Sequence, residues 1–337
     1  MGGIWLKRSQ LIGRTSEIVG YKSGLGLTHE EIGDMVHSEY HKQWYGDNDD
    51  LLRIRSEEFE ELISEVLYRL GNIPSPSIAP SSIMLYHKYK KTPKKLKMYT
   101  DLSAMFTEFL RKTMSQPNIS KILDPTPYAE EAISKYGAVG FKMAVEIMEG
   151  FNLQMHKSPW GSFRQVEWID VAQLKELFES ESLQTFYGKF IDQRYIDFLD
   201  HNFGSIDNIN WRKFEALTCE FFDRQGYYVE IGEGRDDGGI DGRAWLKEED
   251  KSGPPTILIQ CKRYRRKIDK MVVKALWADV FDEQAHSGLI VTTSSLSPGA
   301  EKTCTARSYP IQQANRDTLK KWINVMRTPF KGAYLAE

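Results

Sequence analysis

Two short stretches decide the fold predicted for this chain: GGIDG at residues 238–242 and ILIQCK at residues 257–262. Successive side chains in a β-strand point to opposite faces of the sheet. Alternate residues of the second stretch, Leu258, Gln260 and Lys262, therefore share one face. Two polar side chains are thus predicted to be neighbours on one face of an otherwise apolar strand.

A polar loop separates the two stretches and predicts a β-hairpin. The segment KEEDKSGP at residues 247–254 has charged residues followed by glycine and proline, which is typical of a loop between antiparallel strands. A loop centred between Asp250 and Lys251 places Asp241 opposite Gln260. The hairpin therefore brings a carboxylate, an amide and an ammonium group together.

This arrangement of Asp, Gln and Lys resembles the catalytic core of the PD-(D/E)XK nuclease superfamily. It is closest to the Mrr-like restriction endonucleases, which carry Gln in place of the acidic residue of the E-x-K half-motif. The resemblance covers about residues 205–325 and implies an α/β domain with a restriction-endonuclease-like mixed central sheet flanked by helices. The further segments that carry it are WRKFE at 211–215 as the first helix, GYYV at 226–229 as the turn into the first strand, QCKRY at 260–264 as a strand end, and GLIVTTS at 288–294 as a later strand followed by a helix from about Pro298.

The predicted site has ligands suited to a hard divalent cation. Mg²⁺ prefers oxygen ligands and usually takes only one or two carboxylates, with water and substrate phosphate oxygens in its remaining positions. Asp241 would supply a direct carboxylate and Gln260 a neutral amide oxygen. The backbone carbonyl of Cys261 could add an oxygen, and Glu215 of the first helix could act through a water molecule or as a second carboxylate. The cofactor expected is Mg²⁺, for which Mn²⁺ can substitute.

Lys262 completes the expected catalytic set of Asp241, Gln260, Lys262 and Glu215. A lysine ammonium group is a compact charge with three donors, so it can orient an attacking water molecule or neutralise charge that develops on the phosphate. The reaction class implied is metal-assisted phosphodiester hydrolysis. Gln260 has one negative charge fewer than the commoner acidic residue, which should weaken metal affinity. This departure leaves open whether one or two metal ions bind.

Each of these residues also has a purely structural interpretation. Asp241 lies in a glycine-rich turn, where Asp commonly caps its own backbone. Gln260 and Lys262 could lie on the solvated face of an edge strand, because lysine commonly protects such edges. Glu215 flanks the apolar stripe of its helix and could be paired structurally. The aspartates at 236 and 237 are interpreted as turn residues rather than ligands.

A basic run follows the predicted strand directly and points to nucleic acid. A nuclease must admit phosphates although its own carboxylates repel them, so local positive charge matters more than the net charge of −2. A solvated charge run is the ordinary alternative for such a stretch, but its position beside the predicted site favours DNA contact. The residues expected to bind DNA are Arg263, Arg265, Arg266 and Lys267.

Residues 1–204 are predicted to be a mainly α-helical region that precedes a nuclease domain at 205–337. Thr28 and Glu31 make a capping box for a helix that reaches about Tyr45. Further helices are predicted at 57–70, 101–115, 128–150 and 171–202, the last with a break near 180. A segment rich in Pro and Ser, at about 73–82, could split the region. No family is recognised in it, and we expect it to regulate the nuclease, to recognise the substrate or to mediate oligomerisation.

Length and composition are those of an ordinary globular protein. A chain of 337 residues can form about two domains, and 41% hydrophobic with 27% charged residues argue against disorder. No apolar run reaches the roughly 18 residues that span a bilayer, and the N-terminus lacks the apolar core of a signal peptide. The three scattered cysteines fit reduced thiols. We therefore expect a cytoplasmic protein without a membrane partner.

The function predicted is Mg²⁺-dependent endonuclease action on DNA, in restriction or antiviral defence. The defence role is implied by the family resemblance and not by the residues themselves. One alternative is a structure-specific nuclease of repair or recombination, and another is a catalytically silent DNA-binding or assembly subunit. DNA is the expected partner, together with further copies of the chain or other subunits of a defence complex.

Overall fold

The computed structural model describes residues 2–115, 123–162, 164, 166–234 and 239–327. The chain divides into two compact units, Met1–Val171 and Ala172–Thr328. This division lies before the domain boundary predicted near residue 204. Residues 172–204 therefore belong to the same compact unit as the predicted nuclease domain.

The first unit is mainly helical, as predicted, and also contains a two-stranded antiparallel sheet that was not predicted. Its elements are β1 (Gly3–Lys7), α1 (Arg8–Ser23), β2 (Leu25–Gly26), α2 (His29–Met35), a 3₁₀ turn (Ser38–Tyr40), α3 (His41–Trp44), β3 (Leu51–Arg55), α4 (Ser56–Arg69), α5 (Ser81–Tyr89), α6 (Pro93–Met114) and α7 (Thr126–Lys157). Strands β1 and β3 pair antiparallel, with Trp5 opposite Arg53. Helices α5, α6 and α7 share an apolar core, in which Leu102 and Phe106 of α6 pack with Tyr128 of α7.

One predicted helix of this unit starts where expected but ends early. The hydroxyl of Thr28 accepts from the Glu31 N–H, and the Glu31 carboxylate accepts from the Thr28 N–H at 2.7 Å. The predicted capping box is therefore present. Helix α2 nevertheless ends at Met35 rather than near Tyr45, because Val36 adopts an extended backbone with φ −73° and ψ 138°.

The second unit has the predicted α/β architecture. Its elements are β4 (Ala172–Gln173), α8 (Glu176–Glu179), α9 (Gln193–His201), a 3₁₀ turn (Phe203–Asp207), α10 (Trp211–Arg224), β5 (Tyr228–Ile231), β6 (Gly242–Trp245), a second 3₁₀ turn (Glu248–Ser252), β7 (Ile257–Lys262), α11 (Lys270–Asp282), β8 (Ser287–Thr292), α12 (Pro298–Arg307), β9 (Ile311–Ala314) and α13 (Arg316–Met326). Among the described residues, five strands form one sheet in the order β5-β6-β7-β8-β9. The pairs β5·β6 and β6·β7 are antiparallel, whereas the pairs β7·β8 and β8·β9 are parallel. The predicted mixed central sheet is confirmed.

Helices cover both faces of this sheet. On one face, Val273 and Leu276 of α11 pack on Leu258 of β7 and Ile290 of β8. On the other face, α10 lies against the hairpin of β6 and β7. A Cβ at Gly242 would lie only 3.1 Å from the sulfur of Cys219 in α10, so glycine permits this close approach.

The helix predicted at 171–202 is wrong over most of its length. Only α8 and α9 are helical in this segment. Between them, the backbone N–H groups of Lys189 and Phe190 donate to the Glu220 carboxylate at 2.9 and 2.7 Å. These donors are therefore satisfied by a side chain of α10 and not by helix carbonyls.

No helix in the described ranges is long and apolar enough to cross a membrane.

Candidate active site

The candidate site lies at the carboxyl end of β7, the central strand of the sheet. The β6–β7 hairpin pairs Gly242 with Ile259, and continuing this register sets Asp241 opposite Gln260, as the loop length predicted. Because side chains alternate along the strand, Lys262 shares a face with Gln260 and lies about 7 Å further along. Strands β8 and β9 run parallel to β7, so their carboxyl ends lie at the same edge of the sheet.

Asp241 is only 7% exposed and is fixed against β7. Its N–H donates to the Ile259 carbonyl at 2.9 Å. Its carboxylate oxygen Oδ2 accepts from the Cys261 N–H at 2.6 Å. Both hydrogen bonds join the two strands of the hairpin. The structural alternative, in which Asp241 only caps its own turn, therefore does not account for them.

Glu215 reaches the same place from α10. The side chain of Asn210 accepts from the Arg212 N–H at 2.8 Å and so begins this helix where the sequence predicted. The Glu215 carboxyl group is hydrogen-bonded to that of Asp241. Burial and the charge of Asp241 raise the pKa of Glu215, while the guanidinium of Arg212 opposes the rise. The fold therefore brings together two of the predicted site residues as a buried pair of carboxyl groups.

Arg212 is a residue of this site that was not predicted. Its Nη1 donates to Glu215 Oε2 at 2.8 Å, and its Nη2 donates to the Gly232 carbonyl at 2.6 Å. The spacing of three residues between Arg212 and Glu215, typical of an ion pair along a helix, was the available signal. Glu215 is therefore paired structurally with Arg212, as the alternative interpretation held, and it also contacts Asp241.

Gln260 has a buried amide group on β7. The residue is 6% exposed, and its Nε2 donates to the Gly239 carbonyl at 2.9 Å. Because a carbonyl can only accept, the amide nitrogen must face Gly239 and the oxygen must point elsewhere. Within the described residues this oxygen, Oε1, is buried and accepts no hydrogen bond. Leaving such a group unpaired costs about 1–3 kcal/mol, so the oxygen is suited to a further ligand.

A glycine at position 239 allows the backbone conformation that places its carbonyl beside the Gln260 amide. Gly239 has φ +90°, a conformation that side chains other than glycine rarely adopt. A Cβ there would also lie 3.3 Å from Gln260 Nε2. The glycine-rich turn thus lets a backbone carbonyl approach the amide and set its orientation.

Lys262 ends β7 and is half-buried. In the part of the chain that the structure describes, its ammonium group forms no salt bridge. Strand β7 lies between β6 and β8, so the alternative that placed Gln260 and Lys262 on an edge strand is wrong. Burial raises the pKa of the neighbouring Cys261 thiol, which keeps that side chain protonated. The role of the Cys261 carbonyl as a metal ligand stays a prediction.

The site has few acidic groups. No cluster of three or more His, Cys, Asp or Glu side chains that could hold a metal ion occurs among the described residues. Asp241 and Glu215 are therefore the acidic pair, within the one or two carboxylates that Mg²⁺ usually takes. The aspartates at 236 and 237, interpreted as turn residues, lie outside the described residues.

The basic run after β7 separates into two parts. Arg263 is half-buried, and its Nη1 donates to the Asp207 carbonyl at 3.2 Å. Arg265, Arg266 and Lys267 are exposed. Their contact with DNA stays a prediction, and Arg263 differs from them because the fold already holds its side chain.

The sheet, its flanking helices and the residues at the end of β7 define a restriction-endonuclease-like α/β domain. Residues 206–323 match the family model Mrr_cat, which describes a restriction endonuclease. This match confirms the predicted resemblance for that segment, and the N-terminal region stays unrecognised. No curated protein sequence matches the chain.

A solved structure is also similar to this chain. It is described as MspJI restriction endonuclease in complex with a 27-mer oligonucleotide, and it matches at 16% sequence identity with a TM-score of 0.30. The alignment covers 57% of this chain and 42% of that chain. The chain therefore spans less than half the length of this relative.

Proposed function

We propose that this protein is a metal-dependent endonuclease that hydrolyses phosphodiester bonds in DNA. The observation that carries the proposal is the buried Oε1 of Gln260, which has no hydrogen-bond partner among the described residues, on the strand that pairs with the segment of Asp241, whose carboxyl group is paired with that of Glu215. Buried polar oxygens are nearly always paired, and adjacent carboxylates repel each other. A bound divalent cation offsets both costs, so these residues fit such an ion.

Asp241, Gln260 and Glu215 would hold the ion, with the Cys261 carbonyl as a further oxygen. Mg²⁺ is the cation we infer, with Mn²⁺ as a substitute, because the donors are hard oxygens and only two of them are carboxylates. When bound, the ion supplies Lewis-acid polarisation of a phosphoryl oxygen and lowers the pKa of a water molecule. The neutral amide of Gln260 supplies an oxygen without adding negative charge that would repel phosphate.

Lys262 supplies a positive charge on the face that it shares with Gln260. Its ammonium group can hold the attacking water molecule or offset the negative charge that develops on the phosphate during cleavage. Arg212 has a different part in the site. Its hydrogen bond of 2.8 Å to Glu215 positions that carboxyl group beside Asp241.

DNA is the substrate we infer, from the restriction endonuclease match at 206–323 and from the exposed cations Arg265, Arg266 and Lys267 that follow the site. We further propose a role in restriction or antiviral defence. A free nuclease threatens the DNA of its host, so the first unit would restrain or recruit it by recognising DNA or by assembling several subunits. Measuring the mass of the protein and the concentration dependence of cleavage tests the assembly.

Cleavage assays with the full-length chain test the proposed activity. Plasmid, linear, methylated and single-stranded DNA, and RNA, are incubated with Mg²⁺, Mn²⁺ or EDTA. Asp241→Asn keeps an acceptor for the Cys261 N–H but removes the charge, and we expect it to slow cleavage by about 100-fold or more while DNA binding persists. Lys262→Ala should slow cleavage similarly and leave metal binding intact.

Two exposed residues in the loop of the same hairpin provide matched controls. Asp250→Asn and Lys247→Ala remove the same charges at the surface and should cleave as the parent does. If Asp241→Asn and Lys262→Ala proteins cut as fast as the parent, or if the parent cuts equally well in EDTA, the proposed activity is wrong.

A further inference from the structure

We propose that Arg263 and Arg316, held together by Asp207, form a clamp for one phosphate of a nucleic acid strand beside the candidate active site. This inference rests on the proposed function and adds a positioning site to it. The three residues come from separate parts of the chain. Asp207 precedes α10, Arg263 follows β7, and Arg316 begins α13 directly after β9.

A single aspartate binds both arginines. The backbone carbonyl of Asp207 accepts from Arg263 Nη1 at 3.2 Å, and its carboxylate oxygen Oδ1 accepts from Arg316 Nη1 at 2.5 Å. Arg316 Nη1 also lies 3.4 Å from the Thr293 carbonyl. Two guanidinium groups are thus held by one aspartate residue, Arg316 through the carboxylate and Arg263 through the backbone carbonyl, which leaves an excess of one positive charge in the clamp.

The clamp lies at the edge of the sheet that carries the candidate site. In the parallel part of the sheet Lys262 pairs with Thr292, and Val291 pairs with Ala314. Arg263, Thr293 and Arg316 therefore follow the carboxyl ends of three adjacent strands. Strands are spaced about 4.8 Å apart, so β9 lies about 10 Å from β7. This distance corresponds to a rise of about three base pairs along the axis of a duplex.

The donors of this clamp are only partly used by the protein. Arg263 Nε is buried and has no hydrogen-bond partner within the described ranges, although such groups are normally paired. The guanidinium of Arg316 is 5.1 Å from the ring centre of Phe203, which restricts its orientation. The planar fork of arginine matches phosphate geometry. An ion pair that only stabilised the fold would need Arg316 and Asp207 but not the guanidinium of Arg263.

DNA binding by the full-length chain in EDTA tests the clamp without relying on cleavage. The affinity for a short labelled duplex is measured over a range of salt concentrations. Arg316→Gln and Arg263→Gln should each weaken binding about tenfold, for every duplex sequence, and lower the salt slope by about 0.9. Arg307→Gln is the matched control, because this exposed cation lies before β9 at the opposite edge of the sheet, and it should keep the parental slope.

Asp207→Asn separates a phosphate clamp from a structural ion pair. The amide keeps the shape and an acceptor but removes a charge that repels phosphate, so this variant should bind DNA at least as tightly as the parent. If Asp207 and Arg316 only stabilised the fold as an ion pair, Asp207→Asn and Arg316→Gln would weaken DNA binding to a similar extent. Equal losses of DNA binding would therefore overturn the clamp. Parental salt slopes in both arginine variants would also overturn it while leaving the proposed function intact. A parent protein that binds no nucleic acid would refute the proposed function itself.

Discussion

Replacing Gln260 by Glu distinguishes a metal ligand from an ordinary buried amide. In the parent chain Nε2 donates to the Gly239 carbonyl at 2.9 Å. A glutamate of the same shape turns this donor into an oxygen that faces a carbonyl oxygen, and it adds a negative charge opposite Asp241. Without metal, the lost hydrogen bond alone should cost about 1–3 kcal/mol. Repulsion from the neighbouring carboxylate adds to this loss.

The size of the effect can be expressed as a melting temperature. A loss of about 2 kcal/mol lowers Tm by about 4–8 °C in a unit of this size. If the new carboxylate tightens metal binding tenfold, saturating Mg²⁺ returns about 1.4 kcal/mol to the variant. The rise in Tm between EDTA and Mg²⁺ should then be larger in Gln260→Glu than in the parent by about 3–6 °C.

Thermal unfolding of the full-length chain in EDTA and in Mg²⁺ measures this difference. Gln313→Glu is the matched control, since Gln260 and Gln313 both pair with Ile290 and lie in one row of the sheet. The Gln313 oxygen accepts from the Leu296 N–H at 3.1 Å, a role that a carboxylate can keep. Mg²⁺ should stabilise this control no more than it stabilises the parent. Equal Mg²⁺ responses of Gln260→Glu, Gln313→Glu and parent would refute the assignment of Gln260 as a ligand.

Arg212→Gln removes a hydrogen-bond donor to the buried Glu215 carboxyl group, whose raised pKa lets it take up a proton instead, so we expect urea unfolding to show a loss of about 1–3 kcal/mol; a loss near zero would mean that the pair is not needed. Burial lowers the pKa of His156 to about 3, whereas in the unfolded chain it is about 6.5. Below pH 6.5 the unfolded chain therefore binds a proton that the folded chain does not, so stability should fall by about 2 kcal/mol between pH 7 and pH 5. His156→Gln should abolish this contribution, and an unchanged pH slope would contradict it. Neutralising Arg265 and Arg266 together should lower the salt slope of duplex binding by about 1.8, and a parental slope would assign them to solvated surface.

The hairpin of β6 and β7 could be predicted to the residue, because its register depends on local features. A polar loop centred between Asp250 and Lys251 and a short apolar strand were enough to place Asp241 opposite Gln260. The orientation of the Gln260 amide could not be predicted in the same way. It depends on a carbonyl at Gly239, in a backbone conformation with φ +90° that strand periodicity does not encode.

The helix predicted at 171–202 was wrong for a different reason. The contacts of this segment also bear on where the nuclease unit begins. The segment before α9 is bound to α10 by side chains: Lys213 Nζ donates to the Ser182 carbonyl, and Trp211 Nε1 donates to Glu181 Oε1 at 3.1 Å. Local sequence cannot reveal bonds between residues some thirty positions apart. Helix α10 also carries Glu215, so a segment outside the family match at 206–323 helps to hold a residue of the candidate site. The physical unit that positions this carboxyl group therefore begins before residue 181, whereas the family resemblance begins at 206.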